Sequence, residues 1–367
     1  AITVTQVTST PIATSLSEVN GTSVDPIHDV GMAFGYQEGK ISLFKLSTKS
    51  EVGTYDTMTN NGLDFSGASG VKIAGAIMNP ANQTVILATA DGFEIANYTN
   101  PAAVSKVREI PSLAVDSTHG VEIMENFAFD PALPVGGTNH AMIITGGNQN
   151  NTSPIMVLVD ADTGKVYNPD SAAASLFSKE DYIDSAGVDT NYHVAVLADE
   201  GTGTTFVDLN KLTLDDTAGT YSLPNNAVLR TTSYVKYDNL GVESTHHLVM
   251  MGQGYGGTSL VAGLLKDPAL GLGFSKETIV DMPSGVDDKG DTVTWSGAGD
   301  PHGAGAYITP SNHPTYTTPT SLGLWLNDTG DHIAIIDLQG VLDGTLSGGG
   351  YDPETTTPKD ISYFKIP

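Results

Sequence analysis

Along this chain, short apolar runs alternate with clusters of Gly, Asn and Asp, and the 3.6-residue period of an amphipathic helix is nearly absent. The runs come in pairs separated by a polar turn. Residues 30–35 pair with 41–46 around Gln37-Glu-Gly39, and 84–88 with 93–95 around Asp91-Gly92. Residues 141–145 pair with 155–160, and 194–198 with 205–209 around Asp199-Glu-Gly201. Residues 248–251 pair with 259–262, and 322–326 with 332–337. Six hairpins recurring about every 50 to 75 residues, with no helices between them, predict a β-propeller. The Ala-rich stretch 171–182 predicts one short helix, within an insertion spanning 168–190.

The expected fold is therefore all-β: a single propeller domain over 1–367, with six or seven four-stranded blades. Thr278-Ile-Val-Asp-Met and Asp291-Thr-Val-Thr-Trp295 are strand-like and would make the seventh. N- and C-terminal strands at 2–7 and 361–366 would share a blade and close the ring, removing its edges.

Some segments resemble known propeller repeats. Leu87-Ala-Thr-Ala-Asp-Gly-Phe-Glu-Ile95 followed by Asn100-Pro101 is similar to the LVIVD repeat of secreted propellers. Asp300-Pro-His-Gly303 and Ile333-Ala-Ile-Ile-Asp-Leu338 are similar to the YVTN-type repeat. The resemblance spans roughly residues 24–338 and implies the fold, not an activity, because propellers host unrelated functions.

Composition narrows the partners. The chain carries 42 Asp and Glu against 16 Lys and Arg, a net charge of −26. Such a surface repels phosphate backbones and anionic lipid, which argues against nucleic acid. No run of 18 to 20 apolar residues predicts a membrane span. With no cysteine, a transition metal would have to be held by His and carboxylate. The chain opens on Ala1-Ile-Thr-Val without the basic start and apolar core of a signal peptide, which leaves either a cytosolic protein or the mature form of an exported one; the periplasmic or secreted form is the expectation adopted.

The histidines recur in one context, an acid followed two or three residues later by His. The cases are Asp25-Pro-Ile-His28, Asp116-Ser-Thr-His119, Glu243-Ser-Thr-His246 and Asp300-Pro-His302, with Asp189-Thr-Asn-Tyr-His193 a looser fifth. If each began an innermost strand, imidazoles and carboxylates would converge on the propeller axis in a cation-attracting funnel. That set suits Zn or Cu, with His119, His246 and His302 as ligands, His28 as a fourth, and Asp116, Glu243 and Asp300 in support. Blade-start histidines are similar to those of periplasmic zinc-chaperone propellers. The competing reading makes each His and its acid a structural cap of the loop, and His193 and His246 also fit the start of a second strand, away from the axis.

Clustered acids at 199–200, 215–216 and 287–291 are candidates for Ca, or simply solvated loops. No Gly-x-Ser-x-Gly, Walker or His-Glu-x-x-His motif occurs, and Gly252-Gln-Gly-Tyr-Gly-Gly257 lies between strands, where a hairpin turn explains it. The function expected is a non-enzymatic binding protein with a metal in its channel, whose partners are a metal ion, a small ligand or another protein. The alternatives are a metal-dependent hydrolase or lactonase using the same funnel, and a structural or adhesive propeller without metal.

Overall fold

The computed structural model describes residues 15–17, 21–35, 38–45, 48, 50–57, 63–65, 68–89, 92–111, 119–120, 127–149, 153–180, 183–199, 201–235, 237–253, 257–281, 285–286, 290–293, 304–308, 318–326, 332–344 and 361–365. The chain forms a six-bladed β-propeller. Each blade is an antiparallel meander whose strands run in sequence from the axis outward. The innermost strands are Gly21–Asp25, Ile73–Asn79, Ala128–Val135, Ile183–Asp189, Tyr237–Glu243 and Ala304–Ile308. Each neighbours the next, and the last returns to the first, which closes the ring.

The paired apolar runs are the second and third strands of the blades. In blade 2, for example, Thr84–Thr89 pairs with Gly92–Asn97. Their continuous rather than alternating hydrophobicity has a packing cause: each blade is covered on both faces. Val85 and Leu87 pack with blade 1, in a core shared with Met32, Ile41 and Leu43. Ile86 and Ala88 turn the other way and pack with Ile143 and Val157 of blade 3. The same sharing links blades 3 and 4, 4 and 5, and 5 and 6, with Trp325 in the last. A buried Leu or Ile contributes about 1.5–3 kcal/mol, so these shared layers are the main glue between blades.

Residues 278–295 do not form a seventh blade. Thr278 to Asp281 complete the outer strand Phe274–Asp281 of blade 5, and among the described residues Thr292–Val293 pairs with Gly285–Val286 alone. The strand Ile361–Lys365 is the outer strand of blade 6, paired with His332–Asp337. Residues 2–7 lie outside the described residues.

The helix is shorter than expected, Ser171–Ser175, capped by the Asp170 carboxylate on the Ala173 N–H at 2.7 Å. By Ile183 the chain has already entered the inner strand of blade 4. A hairpin of Thr213–Asp215 and Thr220–Ser222 leaves blade 4 and adds to the outer edge of blade 3 in parallel with Val166–Pro169. It covers an otherwise open sheet edge.

Candidate functional site

The described acid–histidine motifs do not begin inner strands; they end them. Asp25, Asp189 and Glu243 are the last residues of their inner strands, and Asn79 holds the same place in blade 2. A four-residue turn follows in each case, at 26–29, 80–83, 190–193 and 244–247. The side chain of the strand-ending residue builds that turn by accepting backbone N–H groups. Asp25 Oδ1 accepts from His28 at 3.1 Å, Asn79 Oδ1 from Ala81 at 3.2 Å, and Asp189 Oδ1 from Asn191 and Tyr192 at 2.9 and 2.8 Å. Glu243 accepts from Thr245 at 2.6 Å and from His246 at 3.1 Å. The fourth turn residue is left-handed in all four blades, with φ of 57° at Asp29, 52° at Gln83, 52° at His193 and 60° at His247. None is glycine, so the turn's hydrogen bonds offset a cost of about 1–2 kcal/mol at each.

This geometry separates histidines that look alike in sequence. His28 and His246 are third in their turns and reach back to their own blade's acid. His28 Nδ1 lies 2.7 Å from Asp25 Oδ2, and His246 Nδ1 lies 3.1 Å from Glu243 Oε2. His193 and His247 are fourth, and they reach across to the preceding blade. His193 Nδ1 sits 2.7 Å from Asp130 Oδ2 of blade 3, and His247 Nδ1 sits 2.7 Å from Asp189 Oδ2 of blade 4. His247 also stacks on Tyr192 of blade 4, with ring centroids 3.5 Å apart and planes 1° from parallel.

The same bridge recurs with other donors. The Tyr98 hydroxyl of blade 2 donates to Asp25 Oδ2 of blade 1 at 2.7 Å, and Ser321 of blade 6 donates to Glu243 Oε2 of blade 5 at 2.6 Å. Four interfaces thus carry one device: a buried carboxylate of one blade's inner strand, bonded by a side chain of the next blade; Asp25, Asp189 and Glu243 end their strands, and Asp130 stands at the register shift within Ala128–Val135. Asp25, Asp130 and Asp189 are 0% exposed and Glu243 is 3% exposed. A carboxylate so buried is stable only if its oxygens are satisfied, and here backbone N–H groups and the neighbouring blade share that task. Burial pushes the Asp130 carboxyl above its ordinary value, with the His193 hydrogen bond pulling it back. Burial acts on Asp160 as well, but the His140 hydrogen bond at 2.9 Å and the N–H groups of Thr163 and Asp162 outweigh it and hold this carboxyl low.

The expected convergence of imidazoles on the axis is therefore overturned for His28 and His246 with Glu243. They occupy turns that leave the inner strands of blades 1 and 5. Among the described residues, no group of three His, Asp or Glu side chains could hold a metal ion. His119 is described only in backbone, where His119–Gly120 pairs with Gln149 and Asn148 at the end of a long second strand of blade 3. Asp116, Asp300 and His302 lie outside the described residues.

The candidate Ca acids in described positions are also occupied locally. Asp199 accepts the N–H of Gly201 and Thr202, each at 2.9 Å, and Asp215 those of Thr217 and Ala218, each at 2.9 Å. Asp216 accepts from the Tyr167 hydroxyl at 2.7 Å. Residues 287–289 are outside the described set.

The part of the channel that the described residues form is not negatively charged. A cavity of about 280 Å³ runs along the axis, lined by all six inner strands. Its lining includes Ala76, Met78, Phe129, Val188 and Leu240 and, among the described residues, contains no Asp, Glu, His, Lys or Arg.

No family model matches the chain, and no curated protein is similar to it. Among solved structures it is similar to the β-propeller domain of Myceliophteria thermophila Cps50 (Swd1), at 13% identity and a TM-score of 0.47, over 85% of this chain and 80% of that one. No helix among the described residues is long and apolar enough to cross a membrane.

Proposed function

We propose that this protein is a binding propeller rather than an enzyme. One observation carries the reading: its described imidazoles and buried carboxylates are engaged in holding turns and bridging blades, and its channel wall is uncharged. General acid–base or metal-assisted hydrolysis needs such groups free to meet a substrate. That consideration disfavours the hydrolase alternative.

The finer reading is a Zn or Cu ion held by His119 and His302 with Asp116 and Asp300. It rests on the sequence pattern alone, an acid followed by His at Asp116-Ser-Thr-His119 and Asp300-Pro-His302. Export to the periplasm or outside is part of the same proposal. Elemental analysis of protein purified without added metal tests the metal directly. The expected result is stoichiometric Zn or Cu that is lost in His119→Ala or His302→Ala and kept in His28→Ala. Metal-free protein that gains no melting temperature on adding either ion would leave the purely structural or adhesive propeller.

A further inference from the structure

The axial cavity carries an inference of its own, independent of any metal. Its wall is built mostly from small and apolar residues of the inner strands. On the side of blades 4 to 6 the strands approach closely because glycines face their neighbours. A Cβ on Gly187 would lie 2.1 Å from Leu240 Cδ2, and one on Gly241 would lie 2.9 Å from the Gly305 carbonyl carbon. Gly305 differs. Among the described residues, a Cβ there meets no atom within 4 Å. Tyr307 is two residues further along the same strand, so it shares that open face, and it lines the cavity.

The polar side chains of the lining are few. They are Ser23, whose hydroxyl accepts the Met78 N–H at 3.0 Å, Thr22 and the Tyr307 phenol, the last on the open face beside Gly305. Burial pushes the phenol up to about 12, so it is a neutral hydrogen-bond donor at any physiological pH. A charged ligand would lose its hydration here and find no counter-charge, a cost of several kcal/mol, and a net charge of −26 repels anions before they arrive. A neutral, largely apolar molecule faces neither barrier. At about 280 Å³ the cavity is near the lower end of small-ligand pockets, roughly 300–1,000 Å³.

We propose that the channel binds one small, neutral, aromatic or alicyclic molecule bearing a carbonyl-type acceptor. Its apolar body lies against Met78, Phe129, Val188 and Leu240, and its acceptor takes the hydrogen bond of the Tyr307 hydroxyl.

The neutral naphthyl ketone Prodan is a suitable probe, because its emission reports both an apolar surrounding and a hydrogen bond to its carbonyl. Titration into the full chain should give saturable one-to-one binding with blue-shifted emission. Tyr307→Phe should weaken binding about tenfold and shift the emission further to the blue, as expected for one lost hydrogen bond. Gly305→Leu, which fills the open face, should abolish binding while far-UV circular dichroism and melting stay unchanged. Should that variant fail to fold, Thr22→Phe narrows the channel from blade 1 and should abolish binding in the same way. No saturable binding by the wild type overturns the proposal. So does Prodan affinity that survives either channel-filling variant in folded form, or that is unchanged in Tyr307→Phe.

Discussion

Replacing His247 by Ala tests whether the bridges between blades hold the ring together. The substitution removes a 2.7 Å hydrogen bond to Asp189, which is 0% exposed, and the stack on Tyr192. A hydrogen bond to a charged group is worth about 1.5–3 kcal/mol, and an aromatic pair adds roughly 0.5–1.5 kcal/mol. Asp189 keeps its two backbone partners, Asn191 and Tyr192, which softens the loss. The expected cost is therefore about 2–4 kcal/mol in urea unfolding near neutral pH. Hydrogen exchange should quicken first in 189–193 and 244–247, on both sides of the interface rather than in one blade. His247→Gly loses the same contacts but relieves a backbone at φ 60°, and should be less damaging than Ala by about 1 kcal/mol. In a double-mutant cycle with Asp189→Asn, the pair should show a coupling of at least about 1 kcal/mol. A cost under about 0.5 kcal/mol, or a cost as large after Asp189 is replaced, would refute the bridging role.

Three further outcomes follow from the same physics. Glu180 is buried beside Asp199, Thr205 and Arg230, and burial together with the hydrogen bond to the Asp199 carboxylate pushes its carboxyl up to about 7. A raised carboxyl value means the folded protein binds the proton more tightly than the unfolded chain, so stability should fall as pH rises from about 4.5 to about 7. Glu180→Gln should remove that part of the pH dependence and melt higher than the wild type at pH 8, and a melting-temperature series across pH checks it. Tyr98→Phe keeps the ring but loses the donor to Asp25, and should cost about 1–2 kcal/mol by urea unfolding, with His28 still holding Asp25 at 2.7 Å. Gly53→Ala would set a methyl 1.8 Å from the Pro101 carbonyl oxygen, pressing blade 1's outer strand off blade 2. Differential scanning calorimetry should show a loss of about 1–3 kcal/mol or more, and wild-type melting would contradict the contact.

The second and third strands of each blade were legible because both their faces are buried, which writes them as unbroken apolar runs such as Val85-Ile-Leu-Ala88. The inner strands were not. They crowd around the axis, where small residues permit close approach, so they read Gly21-Thr-Ser-Val-Asp25 or Ala304-Gly-Ala-Tyr-Ile308 and carry little hydrophobic signal. With inner strands invisible, the second strand looked like the first, and a motif that ends an inner strand was read as beginning one. That single displacement carried His28 and His246 to the axis. It also hid His247, which stands beside His246 and four residues after Glu243, as His193 stands four after Asp189. The matching left-handed residues Asp29 and Gln83 make that fourth position the repeat's true landmark.

Small inner-strand residues also explain why carboxylates recur at this place. Gly, Ala and Ser bury little apolar surface, so the ends of the inner strands gain less from the hydrophobic layers that bind the outer parts of the blades. Directional, charge-assisted hydrogen bonds supply what area does not, and they also fix the angle at which one blade meets the next. Asp25, Asp130, Asp189 and Glu243 are thus acids whose charge is spent inside the protein, and they leave the channel wall uncharged. The surplus of 26 negative charges is accordingly divided between two kinds of acid. A few are buried struts of the ring, and exposed loop acids such as Asp216 supply the charge that a partner meets. The channel wall that the described residues form thus suits the proposed ligand, which brings no charge of its own.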